Sequence, residues 1–249
     1  MSANQLSGTT AIVTGASKGF GRAAAAALSG AGAAVVGIAR NPARLADAQA
    51  ELGGRFTPVA ADAADPVVAG HLIDQYSPSV IVLTAGAAPL SRPIHQHTWS
   101  SFSRNWDVDV QQTFHWIREA LLRPLAPGSV VVVFSSGAAI AGSPLSGGYA
   151  GAKATIRFLA SYAAAESERG GLGIRFLAVL PQLTPATDLG AAAVAAYAAR
   201  EGMDVPHFLA TRGPVLTSER AGDAVLELTV GQTFSPGAYL LTAAGLKEL

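Results

Sequence analysis

Cysteine is absent from all 249 residues, which removes disulfides and thiol chemistry from consideration. Charge is scarce as well. Charged residues make up 14% of the chain, and 17 basic side chains balance 17 acidic ones. Such a surface offers little attraction to a phosphate backbone, so nucleic acid is not an expected partner, and extensive subunit contacts are. The histidines are few: His71, His95, His97, His115 and His207 show no HExxH or comparable ligand pattern, and no metal site is expected. The opening Met1 to Thr9 has neither a basic leader nor an apolar run of signal-peptide length. The Ala-rich stretch Ala191 to Ala199 is too short to span a bilayer and is followed by Arg200 and Glu201. These absences lead us to expect a soluble, cytoplasmic protein with no membrane partner.

What is abundant is apolar: 50% of residues are hydrophobic, enough for one large domain with a substantial core. Short β-branched runs at Val80 to Leu83 and Val130 to Phe134 have the pattern of strands buried on both faces. Five more strands are expected at Thr9 to Thr14, Ala33 to Ile38, Phe56 to Ala60, Ile174 to Leu180 and Ala238 to Thr242. Helices are expected from the glycines after Thr14 to Ser29, from Trp99 to Leu122, from Gly148 to about Ser167, over Ala191 to Ala199, and from Asp223 to Val230. Strands alternating with helices predict a single α/β domain over residues 1–249, a doubly wound, mostly parallel seven-stranded sheet with helices on both faces.

Only three lysines occur, Lys18, Lys153 and Lys247, and two of them fall within motifs. Lys153 follows Tyr149 by four residues, one helical turn, which brings phenol and ammonium onto one face. A phenol exchanges protons poorly near neutral pH unless a nearby cation stabilises its phenolate. Ser136, thirteen residues before Tyr149, is placed to hold a substrate oxygen. The second motif, Thr14-Gly15-Ala16-Ser17-Lys18-Gly19-Phe20-Gly21, directly follows the first strand. Its glycines permit a tight turn and leave a helix N-terminus free to meet a pyrophosphate. At the end of the second strand, Ala39 offers no carboxylate for a ribose 2′-hydroxyl, whereas Arg40 and Lys18 can surround a 2′-phosphate. NADP(H) is therefore favoured over NAD(H), the alternative for Arg40 being a solvent-facing charge. Asp62, after the third strand, is a candidate acceptor for the adenine amino group.

These residues resemble the short-chain dehydrogenase/reductase (SDR) family. The glycine-rich turn, Ala85-Gly86 after the fourth strand, Ser136, Tyr149 and Lys153 occur in the family's order and at compatible spacing. Pro181 stands where the family has Pro-Gly, and Ser235 to Leu240 is similar to its penultimate turn and last strand. The resemblance implies a Rossmann-like fold and hydride transfer at nicotinamide C4, usually in a homotetramer or homodimer. It implies that Tyr149 donates or accepts the proton, that Lys153 binds the nicotinamide ribose and lowers the tyrosine pKa, and that Ser136 orients the carbonyl. The expected cofactor site comprises Gly15, Ser17, Lys18, Gly19, Phe20, Gly21, Arg40, Asp62, Ala85, Gly86, Tyr149, Lys153, Pro181 and Thr184.

Three positions depart from the family pattern. Asp109 stands for an asparagine that supports a helix kink and a water continuing the lysine proton relay, so Asp109 joins the catalytic candidates and changes the relay's charge balance. Thr84 replaces the asparagine of Asn-Ala-Gly, and Gln182 replaces the glycine after Pro181. A substrate lid is expected at about residues 183–215. Within it Thr184 and Thr187 either bond the cofactor or cap the following helix. Met203, Phe208 and Leu209 either wall the substrate pocket, which suggests an uncharged or partly hydrophobic carbonyl compound, or pack the lid. The expected activity is NADP(H)-dependent reduction of a carbonyl to an alcohol, or the reverse. Dehydration or epimerisation without net redox turnover, and an NADP-binding sensor or scaffold, are the alternatives.

Overall fold

The structure, a computed structural model, describes residues 4–231 and 234–249. Strand β1 (Thr10–Thr14) leads into helix α1 (Gly19–Gly30), then β2 (Ala34–Ala39), α2 (Pro42–Leu52), β3 (Phe56–Ala60), α3 (Pro66–Tyr76) and β4 (Val80–Leu83). A short α4 (Trp99–Ser103), a π-helical turn (Trp106–Val110) and α5 (Gln111–Leu122) precede β5 (Val130–Phe134), α6 (Ala138–Ala141) and α7 (Tyr149–Arg169). After β6 (Arg175–Pro181) come α8 (Asp188–Arg200), α9 (Val205–Ala210), α10 (Ser218–Val230), β7 (Gly237–Thr242) and β8 (Gly245–Glu248).

The sheet order is β3-β2-β1-β4-β5-β6-β7-β8, parallel throughout except for β8, which pairs antiparallel with β7. It has eight strands where the sequence predicts seven. The eighth is a short edge strand, Gly-Leu-Lys-Glu, whose single apolar side chain gives no strand pattern to read. Alternate residues of the central strands face opposite layers, as the period of two in a strand requires. Val80, Val82, Val130 and Val132 join one core with Leu28 of α1 and Val225 of α10. Ile81, Leu83, Val131 and Val133 join the other with Trp116 of α5 and Ile156 of α7. Both faces are thus covered, so β4 and β5 contain only apolar residues and are wholly buried.

The strand order reverses between β1 and β4, which lie side by side with Thr14 opposite Leu83. Loops leaving these carboxyl ends diverge to opposite faces and open a crevice between them. The helix expected from Trp99 to Leu122 is interrupted: Val110 N–H reaches back to Asn105 O at 3.2 Å, a wider turn than the α-helical one. A single inserted residue of this kind is the usual basis of a π-turn. Thr113 Oγ1 donates to the Asp109 carbonyl at 2.8 Å, satisfying the acceptor at this irregular turn.

Candidate active site

A cleft of about 1240 Å³ runs across the carboxyl ends of the strands. At one end its wall is the turn between β1 and α1. Gly15 takes a φ of +69°, and a Cβ there would stand 2.9 Å from Ala85 N. A Cβ on Gly21 would be 2.4 Å from the Gly15 carbonyl oxygen and equally close to Thr84 Oγ1. Glycine at both positions is therefore a packing requirement of the turn. Ser17, Lys18, Gly19 and Phe20 line the same wall, with the Phe20 ring set against Phe134 at 5.9 Å between centroids. Arg40 and Asp62 line the cleft further along and are exposed, and Asp62 Oδ1 accepts from Ala64 N–H at 3.0 Å.

Thr84 ties the two central strands together at the crevice. Its hydroxyl donates to the Thr14 carbonyl, and its N–H donates to Thr14 Oγ1 at 3.1 Å. The Thr14 hydroxyl in turn donates to Gln112 Oε1 at 3.0 Å, and Gln112 Nε2 donates to Ala85 O. Through this polar relay Thr84 supports both strands at the crevice. Neither Thr14 nor Gln112 was among the candidate site residues: Thr14 entered only as the start of the glycine-rich motif, and Gln112 lies in none.

Ser136, Tyr149, Lys153 and Asp109 all line this cleft. Tyr149 opens α7, and Lys153, one turn later, turns inward and is buried. Its ammonium lies 5.6 Å from the Tyr149 ring centroid and donates to Phe134 O at 3.1 Å. Ser135 Oγ holds the Lys153 carbonyl at 2.7 Å, so β5 grips the helix through backbone and side chain alike. Ser136 lies second in the loop after β5, which Gly137 N–H fastens to Pro181 O at 2.9 Å.

Asp109 is fully buried on the π-helical turn. Its Oδ1 accepts from Ala87 N–H at 2.7 Å, while Oδ2 lies 3.0 Å from Lys153 Nζ. The second contact is ionic rather than a well-aligned hydrogen bond. Asn105, one turn earlier, donates to Ala87 O at 2.7 Å and fixes the strand-to-helix loop against the same turn. Burial pulls the Lys153 ammonium down, but the Asp109 carboxylate, with a smaller contribution from Tyr149, more than offsets this and leaves it above its ordinary value. A Cβ on Gly86 would lie 2.8 Å from Asp109 Oδ2, so this glycine makes room for the carboxylate as well as lining the cleft.

The segment beyond β6 lines the cleft and is fastened at both roots. Gln182 Nε2 donates to Pro214 O at 2.9 Å, Thr184 Oγ1 to Leu216 O at 2.5 Å, and Ser218 Oγ to Ala186 O at 3.1 Å. The hydroxyl of Thr184, expected on the cofactor, is thus engaged at the base of this segment, although the residue lines the cleft. Thr187 caps α8 by accepting from Gly190 N–H at 3.1 Å, and its methyl would sit 3.2 Å from a Cβ on Gly19. Lys18 and Asp188 pair at 2.6 Å across the same junction, which holds the exposed Asp188 carboxyl below its usual range. Phe208 is wholly buried against Val194 and Ala198, with Met203 and Leu209 packed around them. Of the two readings for these residues, packing of the lid is the observed one. The cleft wall is instead formed by Leu145, Leu183, Ala193 and Tyr197.

The family model described as short chain dehydrogenase matches residues 9–198, which contain the glycine-rich turn, Ser136, Tyr149 and Lys153. The chain belongs to the short-chain dehydrogenase/reductase family. A short chain dehydrogenase of Pseudocercospora fijiensis is 32% identical over 71% of this chain and 60% of its own length. L-xylulose reductase of Mesocricetus auratus is 32% identical over 52% of this chain and 54% of its own. Carbonyl reductase [NADPH] 2 of Sus scrofa is 30% identical over 52% and 54%. The matched segment thus spans little more than half the length of these curated relatives. The crystal structure of levodione reductase superposes with a TM-score of 0.85 at 18% identity, covering 96% of this chain and 98% of that one, a likeness of fold. Among the described residues no three histidines or acids gather as metal ligands, and no helix is long and apolar enough to cross a membrane.

Proposed function

We propose that this SDR enzyme interconverts a carbonyl compound and an alcohol with NADP(H). The observation that carries the reading is the convergence of Ser136, Tyr149 and Lys153 on one cleft with the glycine-rich turn. The cleft fits a dinucleotide: Gly15 and Gly21 allow a closeness of backbone that a Cβ would prevent, and the α1 N-terminus faces its wall. The nicotinamide, when bound, supplies the hydride. In this reading Arg40, after β2, favours a 2′-phosphate through charge, Lys18 adds to it on leaving Asp188, and no acid ends β2. The relative named as an NADPH carbonyl reductase supports the same preference.

In this reading Ser136 and Tyr149 hold the substrate oxygen, and their hydroxyls stabilise charge as it develops there. Tyr149 delivers the proton in reduction and takes it in oxidation. Lys153 keeps a positive charge beside the phenol and holds the nicotinamide ribose, and Asp109 fixes that ammonium from the far side. The lid at 183–215 covers the substrate, and the protein acts as a homotetramer or homodimer. The test is to titrate the protein with NADPH and NADH by nicotinamide fluorescence, then add carbonyl compounds. Tight NADPH binding with carbonyl-dependent loss of its absorbance is expected. NADPH bound without oxidation across a broad panel overturns the reductase reading, and failure to bind either nucleotide overturns the cofactor assignment.

A further inference from the structure

One face of α8 lines the cleft through Leu189, Ala193, Tyr197 and Arg200, spaced three and four residues apart. The sequence of this face is apolar, small, aromatic and then cationic. Its outer part is joined to the loop between Ser136 and Tyr149, because the Tyr197 hydroxyl bonds Ser143 Oγ. Beyond that contact a side cleft of about 430 Å³ shares Ser143, Pro144 and Arg200 with the main one. Its remaining walls are Pro93, Ile94, His95 and Gly147.

The charges here do not cancel. Glu201 lines the main cleft, but its carboxylate is held by Arg212 at 2.7 Å, and Arg212 also rests over the Phe208 ring at 4.2 Å. Among the described residues the exposed Arg200 side chain makes no hydrogen bond or ion pair, and the residue lines both clefts. A basic residue in the last turn of a helix is favoured by the helix dipole, which accounts for a cation at the α8 C-terminus. The dipole does not account for its place on the cleft-facing stripe.

We infer that the substrate of the proposed carbonyl chemistry carries a carboxylate, bound by Arg200 where the two clefts meet. The inference rests on the reductase reading and names the class of its substrate. One unpaired guanidinium matches a monoanion, and its planar fork accepts a carboxylate through two parallel N–H bonds. The neighbouring Pro93, Ile94 and Pro144 favour a carbon chain over a heavily hydrated dianion. The class differs from the uncharged compound suggested by Met203, Phe208 and Leu209, which turn inward to pack the lid.

The test uses a homologous series of straight-chain keto acids and the methyl ester of each. Binding is measured by calorimetry on protein loaded with NADP+, which cannot reduce a carbonyl, and turnover separately with NADPH. For at least one chain length the acid should bind and turn over at least about tenfold better than its ester, the effect of one charge-assisted bond. In Arg200→Gln this acid-to-ester ratio should collapse toward unity, and Arg200→Lys should restore part of it. Acids and esters handled alike by the wild type, or a ratio unmoved in Arg200→Gln, overturn the inference while leaving the reductase reading intact. Preferential binding of an acid without turnover of any compound sustains the anion site and overturns the reductase reading. Neither binding nor turnover across the series overturns the carboxylate inference, and the uncharged carbonyl panel then decides the reductase reading on its own.

Discussion

Asp109 and Lys153 face each other as buried side chains at the cleft, and each sets what the other can do. The Lys153 pKa is raised in the folded protein, against the pull of burial, by Asp109 in the main. Stability from such a raised cation is complete below the unfolded value, near 10.5, and is lost as pH climbs through the higher folded value. Asp109→Asn keeps an acceptor for Ala87 N–H but removes the charge, leaving burial to lower the Lys153 pKa. The alkaline limb of kcat/KM should move to lower pH, and an unchanged pH profile would show that the charge is idle. Tyr149→Phe should cost more than about 10²-fold in turnover with NADPH affinity nearly unchanged, as steady-state rates and fluorescence titration will show. Arg40→Asp should weaken NADPH over NADH by about tenfold or more, and titration of both nucleotides gives the ratio.

At the scale of elements, the turn from β1 into α1 leaves no room for a side chain. Gly21→Ala would press a methyl onto the Gly15 carbonyl and Thr84 Oγ1, both within 2.4 Å. Overpacking of this kind costs about 1–3 kcal/mol, so thermal melting should fall by several degrees and NADPH binding with it. The glycine spacing made this turn legible in the sequence. The π-helical turn was not, because one extra backbone residue in Trp106 to Val110 leaves no mark on composition or periodicity. The family asparagine position directed attention to Asp109, but its direct pairing with Lys153 depends on that turn. Arg200 was overlooked for a related reason: which face of an Ala-rich helix meets a cleft is decided by tertiary packing.

Over the whole molecule, the sheet was the most readable part. Parallel strands covered on both faces must be continuously apolar, and Val80 to Leu83 and Val130 to Phe134 are found where expected, residue for residue. The β8 edge lacks that requirement and was missed. The packing of the segment beyond β6 was not legible. Its buried Phe208, Val194 and Ala198 form a small core of their own, apart from the two that sandwich the sheet. Replacing residues 189–212 with a Gly/Ser linker should therefore leave a single cooperative thermal transition while abolishing carbonyl turnover. Loss of cooperative folding would show that the cover is part of the main core.

The bonds from Gln182 to Pro214 and from Thr184 to Leu216 bring the two ends of this segment to one place on the scaffold. Because loop closure grows only slowly more costly with length, a longer or shorter excursion could leave from the same clasp. The chain thus separates what is common to its chemistry from what is particular to its substrate. Selection can rewrite one without reopening the other.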